Sequence, residues 1–213
     1  SIEFCLKTAG ISIDEVDEIG FYFNSNLFKK ERIKFALKNA AHSLDFIQKA
    51  FKFLRLSQIE SVIKRTLKYD GPIRLLPHHL CHAASVFFAS PHAESTIVSI
   101  DGVGEWETAW IGSGQGNTIK HLESIYWPHS LGEVYSAVTQ FLGFQYNSDE
   151  YKVMGLSAYG NPLFYNDFKN IITITPDGKF EVDASYFNYP FGKKVLFSKR
   201  FHVVIIIYPS TSS

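Results

Sequence analysis

Apolar positions recur along the chain with two periods, one near 3.6 residues and one of two. Ile2, Phe4, Cys5, Leu6 and Ala9 stop at Gly10, which predicts a short helix closed by a glycine. Residues 14–17 read as a turn, and residues 19–23 (IGFYF) are dense enough in β-formers to predict a buried strand. Residues 26–69 contain neither Gly nor Pro. Within them Phe28, Ile33, Phe35, Leu37, Ala41, Leu44, Ile47, Ala50, Phe51, Leu54, Ile59, Ile63 and Leu67 fall at helical spacing, predicting two or three helices with a break near Leu56. A turn at Asp70-Gly71-Pro72 leads into a short strand over 73–76.

Pro77 then precedes a predicted helix over 79–89, ended by Ser90-Pro91. Strands are expected over 95–100, 105–112 and 118–126. The turns between them lie at 101–104 and 113–117 (SGQGN), which makes a three-stranded antiparallel meander. A helix is expected over 132–142, a mixed glycine-punctuated stretch over 147–162 whose first part, 147–155, reads as one loop, and short strands with turns such as Pro176-Asp177-Gly178 beyond it. The apolar run 203–208 reads as β-like before a polar tail. The order predicts a mixed α/β fold with antiparallel hairpins and a helical insertion. No internal repeat is present.

Composition narrows the class. Of 213 residues 46% are hydrophobic and 15% aromatic, enough for a packed core and unlike a disordered chain. Lys+Arg and Asp+Glu both number 21, so the chain carries no net charge that would mark a nucleic-acid or anionic-membrane surface. The basic stretch from Lys29 to Arg65 reads as a solvated helix face. Cys5 and Cys81 make no disulfide framework and fit a reducing, cytoplasmic setting. The longest apolar run is far too short for a membrane span. The first residue, Ser, and the polar ending lead us to expect a piece of a longer chain.

The sharpest chemistry lies in Pro77-His78-His79-Leu80-Cys81-His82. His78 and His82 are four apart, which on a helix sets both imidazoles on one face, able to share a divalent metal. His79 points elsewhere and is a candidate for a supporting or general-base role. Asp101, at the end of an apolar strand, is the natural carboxylate to complete the site. The alternative is that Asp101 caps its turn and the histidines are ordinary surface residues. Gly102, Val103 and Gly104 can form a backbone nest for phosphate, or simply a hairpin turn. Asn147, Glu150 and Lys152 suit a polar substrate, or a solvated loop with its own ion pair; Glu150 is a second candidate base. Ser130 and Glu133 form a capping-box pattern ahead of the 132–142 helix. No GxSxG elbow is present, and Cys81 has no evident cause for a low pKa.

Four strings in order, HHLCHAASVFFASP, STIVSIDGVGEW, WPHSLGEVYSAVTQFLGF and NSDEYKVMGLSAYGNP, closely resemble the carbamoyltransferases of the NodU and CmcH type, over roughly residues 1–200. The resemblance implies a partial actin-like ATPase (ribonuclease H-like) lobe. It also implies ATP and carbamoyl phosphate as co-substrates, a carbamoyl-adenylate intermediate, and a small hydroxylated acceptor. A bound metal, commonly iron, would be held by His78, His82 and Asp101. Three parts of the family pattern are expected to be missing here: an opening Gly-x-His-Asp stretch, the second lobe with a further metal-binding aspartate, and a YrdC-like domain. Residues 201–213 depart from the family and are expected to be an atypical tail. A lobe cut short should expose apolar surface and associate. The competing readings are a non-catalytic remnant that binds metal or a partner chain and, ranked below it, an HxxxH metallohydrolase without its glutamate base.

Overall fold

The computed structural model describes residues 2–39 and 58–206. Helix α1 (Ile2–Ala9) ends at Gly10, whose φ of +70° is the left-handed stop that glycine supplies. Strands β1 (Ile19–Phe21) and β2 (Ile73–Leu75) pair in parallel, Ile19 opposite Ile73. A parallel pair needs a long crossover, and here it contains α2 (Lys29–Lys38) and α3 (Ile59–Leu67). The expected break near Leu56, and the apolar positions from Ala41 to Leu54, lie outside the described residues. Tyr69 anchors the crossover's return: its ring is buried and its hydroxyl lies 3.2–3.3 Å from the carbonyls of Val16, Asp17 and Pro72.

Helix α4 (His78–Phe87) packs against the expected meander, β3 (Glu94–Ile100), β4 (Glu107–Gln115) and β5 (Thr118–Tyr126), in that spatial order. His79, Ala83 and Phe87, spaced four apart, form its buried stripe. Ala83 and Phe87 join Ile97 and Trp110 in one core cluster. Gly114 leaves room for the Phe87 ring, since a Cβ there would sit 2.6 Å from it. The strand β4 begins two residues later than expected and runs to Gln115. The hairpin turn therefore contracts onto Gly116, at φ +54°.

Helix α5 (Leu131–Phe141) opens a second core, followed by α6 (Glu150–Ser157), α7 (Tyr165–Ile171), the hairpin β6 (Ile172–Ile174) and β7 (Phe180–Val182), and α8 (Lys199–Ile206). Two expectations are corrected here. The 147–155 loop is largely helical: residues 150–157 form a helix despite Gly155, because Val153 is buried and Glu150 is tied to α5. The β-like run is helical as far as it is described. Phe201 is buried at 1% exposure, and Val204 and Ile205 pack against the same cluster, so an i, i+3, i+4 face outweighs β-branched propensity. Among the described residues no helix is long and apolar enough to cross a membrane.

Candidate metal centre

The helix α4 is preceded by Pro77 at its N-cap, an extended residue (φ −59°, ψ 134°) with no side-chain hydrogen bond to the first turn. His78 and His82 then project from successive turns, one residue off the buried stripe, so they sit at its edge. His78 Nε2 lies 2.8 Å and His82 Nε2 3.4 Å from the same oxygen, Asp101 Oδ2, and the two Nε2 atoms are 3.0 Å apart. Three donors each about 2.1 Å from one ion, at angles between octahedral and tetrahedral, stand about 3.0–3.4 Å apart. The observed separations, 2.8–3.4 Å, lie in or just below that range, so the three could hold a single divalent cation. The His78 side chain is 16% exposed and that of His82 49%, so the site has a closed wall and an open mouth. The mouth gives onto a groove of about 260 Å³ lined by Val86, Val98 and Ile100 as well as His82 and Asp101.

Asp101 is held well below the usual carboxylate range, first by its hydrogen bond with His78 and also by the Gly102 N–H donating to Oδ1 at 2.7 Å. His78 is shifted upward, chiefly by Asp101, against the opposing effect of burial. Asp101 is positioned from behind. Its own N–H donates to the Thr108 carbonyl, and the next residue's carbonyl accepts from Ser130 Oγ at 2.6 Å. Ser130 also caps α5 as expected, accepting from the Glu133 N–H at 3.0 Å. Gly132 lets that helix approach, since a Cβ there would lie 2.5 Å from the Gly102 nitrogen.

A family model described as carbamoyltransferase N-terminus matches residues 1–205. The chain belongs to this family. It is 39% identical to an uncharacterised protein of Synechocystis over 90% of this chain and 33% of that protein. It is 30% identical to nodulation protein NolNO of Sinorhizobium fredii over 85% of this chain and 26% of the relative. Nodulation protein NolO of Bradyrhizobium diazoefficiens is 36% identical over 49% of this chain and 19% of the relative. The chain thus spans a third or less of the length of these relatives.

The other residues singled out from the sequence fall elsewhere. His79 is fully buried, with Nε2 donating to the Glu107 carbonyl at 3.0 Å, so Nδ1 accepts from the Ser99 hydroxyl at 2.8 Å. Burial pushes its pKa down. Both nitrogens being occupied, it is a strut between α4 and the meander, without a free nitrogen for a substrate proton. In the Gly102–Gly104 turn two of the three amides are engaged internally, Gly102 with Asp101 and Gly104 with the Glu107 carbonyl at 2.9 Å. Gly104 instead permits contact, since a Cβ there would meet His78 Cβ at 3.0 Å.

Glu150 accepts from the Asn147 N–H at 2.6 Å and from Ser136 Oγ at 2.8 Å, while Lys152 pairs with Asp149 at 2.8 Å rather than with Glu150. Among the described residues no hydrogen bond or ion pair joins Asn147, Glu150 or Lys152 to His78, His82 or Asp101. Sequence reasoning passed over Glu105, placing it inside a strand. It is a fully buried carboxylate accepting from the backbone of His78. The available signal was a helix whose preceding residue is proline, so that it lacks a side-chain cap of its own.

Proposed function

We propose that this chain provides the metal-holding part of an ATP-dependent O-carbamoyltransferase. The carbamoyl group would come from carbamoyl phosphate through carbamoyl-adenylate and pass to a hydroxyl of a small acceptor, within an actin-like fold in the cytoplasm. The observation that carries the reading is the meeting of His78, His82 and Asp101 on one point in a chain of the carbamoyltransferase N-terminus family.

Imidazole and carboxylate together accept iron(II) among several divalent ions. A cation bound there would supply charge stabilisation to a phosphate. The chain's own residues would do the rest. Asp101 is kept anionic, and His78 gives up its proton before it can act as a ligand. The neutral strut His79 keeps α4 against the sheet. The groove beside His82 leaves space for a substrate next to the donors.

The test is metal content of the anaerobically iron-loaded protein beside His82→Ala, followed by carbamoyl transfer from carbamoyl phosphate and ATP to a glycoside. Near-stoichiometric metal that the variant loses, with transfer in the parent, supports the reading. Metal in neither protein would leave a partner-binding remnant as the better account.

A further inference from the structure

We infer that Glu105 is a positioning residue for the metal centre, one that builds the donor set from behind without entering it. This rests on the metal reading above.

Glu105 has no exposed surface. Its Oε1 accepts from the Asn24 N–H at 2.6 Å, and its carboxylate straddles the His78 N–H, at 3.1 Å to Oε1 and 3.2 Å to Oε2. His78 is the first residue of α4, and its N–H is one of the donors that a helix start leaves unmatched. Pro77 offers no side-chain acceptor for the first turn. Glu105 therefore caps α4 from another segment, and it lies only four residues beyond Asp101.

One short stretch of chain thus takes hold of His78 twice. Asp101 meets its ring at 2.8 Å, and Glu105 meets its backbone. Between them Gly104 packs directly on the His78 side chain. A helix whose first residue is fixed in this way has its next turn fixed too, and that turn carries His82. The same carboxylate reaches Asn24, which follows β1, so the parallel strand pair and the meander are registered at the metal site. Burial pushes the Arg32 guanidinium on α2 down, and the charge of Glu105 opposes that shift.

The test compares Glu105→Gln, Pro77→Ser and the double variant in the full chain. The readouts are the thermal midpoint without metal, and the cobalt(II) dissociation constant with the ligand-field spectrum. Glu105→Gln is nearly isosteric but loses the charge and one acceptor oxygen. Its cobalt affinity should fall 10- to 100-fold, as for other groups that orient metal ligands, with displaced ligand-field bands.

Pro77→Ser supplies a local cap for the N–H groups of the next two residues, His79 and Leu80, without replacing the bond to the His78 N–H, so in the double variant the midpoint should recover while the affinity stays low. Affinity within twofold of the parent in Glu105→Gln overturns the inference. So does recovery of both midpoint and affinity in the double variant, which would make Glu105 a helix cap and nothing more. Should Glu105→Gln not fold, the double variant carries the comparison. Cobalt binding that survives His82→Ala would sink the metal reading itself; binding that disappears in His82→Ala yet is unchanged in Glu105→Gln sinks only this inference.

Discussion

The two interiors of this molecule are built from different materials. Between α4 and the meander, Ala83, Phe87, Ile97 and Trp110 lie beside buried His79, Ser99 and Glu105. Around α5, α7, β7 and α8 the apolar set is larger: Val134, Ala137, Ile171, Val182, Phe187, Leu196 and Phe201, with Tyr186 and Tyr189 among them, and the buried polar groups of α5 and its cap are the small hydroxyls of Ser130, Ser136 and Thr139. Burying polar groups costs free energy unless each finds its partner, but partnered groups hold their neighbours in one geometry. Apolar burial contributes about 1.5–3 kcal/mol per large side chain and is less particular about geometry. The interior richer in polar groups lies beside His78, His82 and Asp101; the other contributes most of the apolar burial.

The contrast breaks most readily at Phe201. Phe201→Ala should cost about 3–5 kcal/mol, read in urea denaturation, while leaving the cobalt affinity of the folded fraction unchanged. A loss of affinity without a loss of stability would mean that the two interiors are not separable. His79→Ala should reverse the ratio. It deletes two buried hydrogen bonds, costing about 1–3 kcal/mol each for partners left unmatched. Metal affinity should fall as well, because α4 loses its tie to the sheet. A His79→Ala protein with parental affinity would remove the strut from the account.

Acid provides a third probe. His78 is shifted upward by Asp101, so its proton competes with an ion most strongly on the acid side. Cobalt uptake should strengthen as pH rises through a value above 6.5, the ordinary value for histidine. The metal-free titration of His78, read by NMR, should move to lower pH in Asp101→Asn. An unmoved transition there would detach the shift from Asp101.

The smallest effect belongs to Tyr189, whose buried hydroxyl donates to the Pro128 carbonyl at 2.9 Å. Burial raises its pKa above the ordinary 10.0. The neutral phenol is therefore the form that the fold favours. Its contribution is complete below pH 10 and is lost as pH climbs through the folded value. Tyr189→Phe should cost about 1 kcal/mol at neutral pH and flatten the alkaline decline in thermal midpoint.

Much of this was written locally. The glycine stop at Gly10, the Ser130 cap, the meander and the four-residue step from His78 to His82 each depend on residues within a turn or a hairpin of one another. Such features follow from backbone periods of 3.6 and two, which any window of the chain carries. Asp101 was legible as a strand-end carboxylate, although nothing local shows that it reaches Nε2 of His78.

The remainder needed the folded chain. Whether residues 203–206 form a strand or a helix turned on Phe201 finding the aromatic core of α5 and the 180–197 segment. The role of His79 turned on Ser99 and Glu107, twenty and more residues away. Glu105 became a cap only because folding brings it to the bare start of α4. Propensity and periodicity are short-ranged and are fixed by the sequence alone. Burial, hydrogen-bond partners and the charge around a group are set by segments far apart in the chain, so the tertiary structure decides them.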